Sequence, residues 1–100
     1  MTPPRREVRV RLSFFEQLDA LLPSERGPHG EPSAHDFLMC DLPDVLDAFA
    51  TDFASLPMVI DGFPTARMAI GAGLVTRGFA IFAVEAEDGS VKVIGVTIDP

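Results

Sequence analysis

The stretch Phe79–Val84, FAIFAV, is apolar at every position, and no other feature limits the fold as much. Successive residues of a strand face opposite sides, so this one carries apolar side chains on both, as a central strand of a sheet does. Glu87-Asp88-Gly89-Ser90 follows as a hairpin turn, with a glycine able to take positive φ, and Val91 to Ile98 returns as the last strand. Before it, Asp61-Gly62-Phe63-Pro64 reads as a turn, and Arg67 to Leu74 as a strand with Met68 and Ile70 on one face. Gly71 and Gly73 weaken that strand and mark a bulge.

The amino-terminal half has a different rhythm. Val8, Val10 and Leu12 alternate with Arg9, Arg11 and Ser13, which predicts a half-buried strand over residues 7–12. Ser13 and Glu16 have capping-box spacing, and Phe15, Leu18, Leu21 and Leu22 recur at helical intervals until Pro23. The segment 23–33, PSERGPHGEPS, is rich in Pro and Gly and reads as an exposed loop between two helices. From Ala34 a short helix is expected over 34–40. A longer one follows, with Leu42, Val45, Leu46, Phe49, Phe53 and Leu56 along one stripe. Asp41 is its expected cap and Pro43 its first-turn proline, where a missing N–H costs nothing.

Together these elements give an α+β single domain over residues 1–100, in the order βααβββ, with an antiparallel sheet and two helices packed on one face. One hundred residues suit one core, and 47% hydrophobic content is that of a globular chain. The single cysteine, Cys40, excludes an internal disulfide and suits a reducing, cytoplasmic setting, where it is expected to pack against the core. No apolar run reaches the roughly 20 residues of a membrane span, and none follows the amino terminus as a secretory leader would require.

A net charge of −7 repels nucleic acid from the molecule as a whole, so direct nucleic-acid binding is not expected. The positive charge gathers at Arg5, Arg6, Arg9 and Arg11. Arg9 and Arg11 share a strand face and are candidate partner-binding residues, although alternation alone explains both. His29, His35 and Cys40 match no zinc spacing, so no metal site and no cofactor are expected. Asp41, Asp44, Asp47 and Asp52 fall in an amphipathic helix whose polar face is simply solvated. No pair or triad of residues composes an active site.

The order of elements, with the strand VRVRLS running into the helix FFEQLDALLP, resembles the RelE/ParE superfamily of toxins from bacterial toxin–antitoxin pairs. So does the closing segment ARMAIGAGLVTRGFAIFAVEAEDGSVKVIGVTIDP, an Arg-led strand followed by an aromatic-rich strand, an acidic hairpin and a Val-rich strand. The resemblance implies action on translation or on DNA gyrase, neutralisation by a small antitoxin protein, and target contact through Arg67, Arg77 and Lys92. The chain departs from the superfamily in its acidity and its lack of tyrosine. Phe82, Ala83 and Ile98 stand where polar catalytic groups are expected, and no residue is placed for the proton transfers that RNA cleavage needs. Three functions follow: a toxin-like component, a non-catalytic protein-binding module of the same fold, or a small cytosolic enzyme of unknown substrate. Large apolar side chains on so small a domain also make a homodimer an expectation.

Overall fold

The computed structural model describes residues 5–28, 30, 32–72 and 76–99. In chain order these form strand β1 (Val8–Val10), helix α1 (Leu12–Leu21), a single helical turn α2 (Ala34–Asp36), a π-helical turn (Phe37–Asp41) and helix α3 (Leu42–Thr51). A 3-10 turn (Phe53–Ser55) and strands β2 (Ala66–Gly71), β3 (Gly78–Glu85) and β4 (Val91–Asp99) complete the fold. The strands make one sheet in the order β1-β4-β3-β2. β3 lies inside the sheet between β2 and β4, the central place expected of it. The turn between β3 and β4 places Gly89 at φ 84°, where a side chain would be strained.

The sheet is mixed, which corrects the antiparallel expectation. β2, β3 and β4 are antiparallel, but β1 pairs parallel with β4, Val8 opposite Val91 and Val10 opposite Val93. Alternation in VRVRLS shows that one face is buried; the same alternation serves either strand direction, so the pattern cannot choose between them.

β1 is only three residues long, and β4 runs on past it. The uncovered part of the β4 edge is taken up by α1: Arg11 N–H donates to Val93 C=O at 2.9 Å, the Ser13 hydroxyl donates to Ile94 C=O at 2.9 Å, and Gln17 Oε1 accepts from Val96 N–H at 3.0 Å. A strand's neighbour is replaced here by helix side chains, and Ser13 is thereby drawn away from its expected cap. Arg11 occupies the N-cap with no side-chain cap bond. The buried stripe of α1 is Phe14, Leu18 and Leu22 at intervals of four, whereas Phe15 and Leu21 are exposed.

A β-bulge in β4 explains its burial pattern. Phe82 pairs with Gly95 but Ala83 with Val93, so Ile94 is an extra residue. Parity changes across it: Val91 and Val93 are buried before the bulge, Val96 after it, and Ile98 packs against the same core. Of the two glycines expected to mark a bulge in β2, Gly71 pairs regularly with Phe79, whose ring would lie 3.3 Å from an added Cβ, and Gly73 is outside the described residues.

A capping box does form, at Ser33 and Asp36. Ser33 Oγ accepts from Asp36 N–H at 3.1 Å and Asp36 Oδ2 accepts from Ser33 N–H at 3.0 Å. Arg26 adds two bonds to the same carboxylate, at 2.9 and 3.1 Å. The 23–33 loop is accordingly not exposed throughout: Pro32 and Ser33 are buried, and Ala34 N–H donates to Pro23 C=O. Asp41 occupies the N-cap position of α3, with Pro43 in the first turn as expected, but its side chain makes no cap bond. It lies in the π-helical turn with helical backbone, is 5% exposed, and its Oδ2 accepts from the buried Thr76 hydroxyl at 3.1 Å. The helical path thus runs from Ala34 to Thr51 without a break, and the wider π turn leads into Pro43, which has no N–H to give. Phe53, expected on the long helix, is buried from the 3-10 turn instead.

The core is one cluster in which Phe14, Phe37 and Phe49 are fully buried against Ile81, Val91 and Val93, with Phe37 set edge-on to Phe79 at 5.8 Å.

Two expected outcomes test this fold. Gln17→Ala leaves the Val96 N–H without its acceptor and costs roughly 1–2 kcal/mol in urea unfolding. Gly95→Ala places a Cβ 3.0 Å from Gln17 Oε1 and is expected to act through that same bond, so the two losses combine less than additively in the double variant. Second, the Arg26 guanidinium, followed by the Ser33 amide, holds the Asp36 carboxyl well below its ordinary value of 3.8. A depressed value in the folded state stabilises above the ordinary pKa and is lost as pH falls through and below it. Thermal melts from about pH 5 to pH 2 are expected to fall more steeply for the natural chain than for Asp36→Asn.

Candidate functional site

The cations singled out from sequence do not converge on one place. Arg67, at the start of β2, is committed to the fold. Its Nε donates to Pro64 C=O at 2.8 Å and its Nη1 to Leu56 and Ala54 C=O at 2.8 and 3.1 Å. The guanidinium also lies 6.0 Å from the centre of the Phe53 ring. Arg6 stands 5.2 Å from that ring; its Nη1 donates to the Glu85 carboxylate and to Gly89 C=O at 3.3 Å. Arg6 N–H donates to Ala50 C=O. Two guanidinium groups therefore stack on one buried phenylalanine and join the segment before β1, the end of α3, the approach to β2 and the β3–β4 hairpin. Neither Arg6 nor Phe53 stood out as a site residue in the sequence, because each forms part of a pattern, a basic run and a helical stripe, that has its own explanation.

Arg9 pairs with Glu7 through both nitrogens of its fork at 3.1 Å, which raises its pKa, Glu7's hydrogen bond being the main cause. Lys92 lies opposite both Arg9 and Val84 in the sheet, so Arg9, Lys92 and Val84 share a face. Glu87 and Asp88 line the same shallow pocket as Arg9 and Lys92. The Ser90 hydroxyl and amide hold the Asp88 carboxyl below its usual range. With Glu7, three carboxylates attend these two cations, and no positive patch results. Arg11 is exposed at the start of α1. Arg77 is exposed just before β3, and its side chain has no partner among the described residues.

His35 and Cys40 are both exposed. The expectation that Cys40 packs against the core is therefore wrong: it lies on the outer side of the π turn. His29 is outside the described residues, and no cluster of metal-binding side chains occurs among those described. Of the helical acids, Asp44 and Asp47 are exposed and Asp47 pairs with Arg5 at 2.7 Å.

What the fold does assemble is a second apolar surface. The buried face of the sheet carries Ala69, Ile81 and Ala83; the intervening positions Met68, Ile70, Ala80, Phe82 and Val84 face the other way. Ile94 at the bulge is 37% exposed. On this face lies a shallow groove of about 350 Å³ lined by Val59, Phe82, Val84, Ile94 and Gln17. In the loop before β2, Ile60 and Phe63 are also exposed, at 58% and 60%. Antiparallel sheets with one face on the core usually present polar side chains on the other. Here β4 contributes Lys92, Thr97 and Asp99 to that face. Its sequence signal was the unbroken apolar run Phe79–Val84.

No family model, curated protein or solved structure matches the chain. No helix among the described residues is long and apolar enough to cross a membrane.

Arg67→Ala is expected to destabilise the fold by about 2–3 kcal/mol, because three carbonyls lose a charged donor. Arg67→Lys should recover little, since one ammonium group cannot reproduce the planar fork. Urea midpoints of the two variants check both statements.

Proposed function

We propose that the chain is a non-catalytic protein-binding module with a RelE/ParE-like order of elements, which docks a partner protein on the outer face of its sheet. The observation that carries this reading is the shallow apolar groove on the outer sheet face between the half-buried Phe82 and the exposed Ile94. A face of this kind marks an interaction site on a folded chain. The commitment of Arg67 to three backbone carbonyls supports the same reading, because it leaves this candidate for target contact few free donors.

A toxin-like component acting on translation or gyrase is the second reading. The order of elements favours it, as does the exposed side chain of Arg77, which has no partner among the described residues. In that reading the partner is a small antitoxin protein, and Arg77 is the first residue to test.

Growth after induced expression in a bacterial host separates the two. A folded, soluble protein that leaves growth unimpaired is the expected result. Growth arrest that Arg77→Ala relieves while the variant stays folded by circular dichroism would overturn the module reading and put the toxin first.

A further inference from the structure

β2 is an edge strand, and among the described residues part of its outer edge has no partner. Met68 N–H donates outward to Pro57 C=O at 3.0 Å, and Ala66 C=O accepts from Val59 N–H at 3.0 Å. Both N–H and C=O of a residue in an antiparallel strand point the same way and alternate along the chain. Those of Ile70 therefore also point outward, away from β3. Among the described residues nothing bonds to them, for the segment that pairs with β2 is confined to Pro57–Val59, with its one bridge at Met58 and Arg67. The Ile70 side chain is 64% exposed.

Beside this open edge, between β2 and α3, lies an apolar groove of about 280 Å³ lined by Val45, Ala48, Leu56 and Phe79, with Asp44 as its charged member. An unpaired strand edge next to a strand–helix groove is the geometry of strand addition: main-chain bonds supply affinity, and alternate side chains of the added segment enter the groove. Asp44 sits in the first turn of α3, and the whole chain carries a net charge of −7. That charge draws basic segments in and turns acidic ones away.

We propose that the edge of β2 at Ile70 is a strand-addition site for an extended segment of a partner protein in which an apolar side chain has lysine or arginine two residues away. The apolar side chain fills the groove beside Val45 and Ala48, the cation two residues along points to the same side and meets Asp44, and the residue between them exchanges hydrogen bonds with Ile70. The site rests on the reading of the chain as a protein-binding module, but it is separate from the outer sheet face.

Fluorescence anisotropy with a dye-labelled seven-residue peptide whose central threonine lies between a leucine and a lysine tests it on the full chain. Saturable binding is expected. The same peptide with its central backbone nitrogen methylated should bind at least about tenfold more weakly, and its glutamate counterpart likewise. Ala48→Phe, which fills the groove, should abolish binding, and Asp44→Lys should remove the preference for lysine over glutamate, with folding followed by circular dichroism. Phe82→Lys, on the outer face, should leave binding unchanged. No saturation up to about 1 mM, or equal binding of the methylated peptide, would overturn the site. Binding lost in Phe82→Lys but kept in Ala48→Phe would overturn the edge site and leave the module reading intact.

Discussion

The edge of β4 is the constraint around which the fold is arranged. β4 is long, contributes Val91, Val93 and Val96 to the core, and meets β3 on one side. Its other side needs partners for buried backbone groups, and an unpaired group there costs more than a bond gains. β1 covers the first three residues only. α1 then supplies Ser13 and Gln17 where a longer strand would have supplied its backbone. The direct passage from β1 into α1, with only Arg11 between them, follows from this requirement: the helix must start where the strand stops in order to reach Ile94 and Val96. Parallel pairing of β1 delivers it there, since the chain leaves β1 in the direction in which β4 continues.

At the opposite end of the core, Phe53 plays an organising part of a different kind. Its ring is buried at the close of the helical half, and the guanidinium groups of Arg6 and Arg67 lie over it. Each arginine then carries its remaining donors to backbone carbonyls or to Glu85. Segments that share little apolar contact are held together by delocalised cations that bond in the plane and stack through the face. The same arrangement decides what these residues can do. A guanidinium that satisfies three carbonyls from the preceding turn and loop has few donors left for a phosphate or a partner.

The strands and helices were legible wherever burial follows a simple period. Phe79–Val84 announced an interior strand, and Leu42, Val45 and Phe49 announced the face of α3 that meets the core. What escaped were features that depend on partners distant in sequence. Ser13 had the spacing of a cap, yet Ile94, 81 residues away, claimed its hydroxyl. Ser33 and Asp36 form the true capping box, hidden in a segment whose Pro and Gly content argued for loop. The direction of β1 was illegible because alternation carries no polarity. Of the candidate site, the apolar outer face was visible in the both-sided pattern of β3, whereas the roles of Arg67 and Arg9 could not be read from residue type. An arginine that binds a target and one that ties a loop are alike until its neighbours are known.

The extra residue in β4 carries a consequence for how the strand can change. Because Ile94 switches the parity of everything after it, the stretches on its two sides are independent in phase. Removing one residue at this point would turn Val96 and Ile98 outward and swing Thr97 beneath the helices, while leaving Val91 and Val93 in place. Length at Ile94 is therefore as much a part of the specification as hydrophobicity, and divergence along β4 can proceed by substitution far more readily than by insertion or deletion.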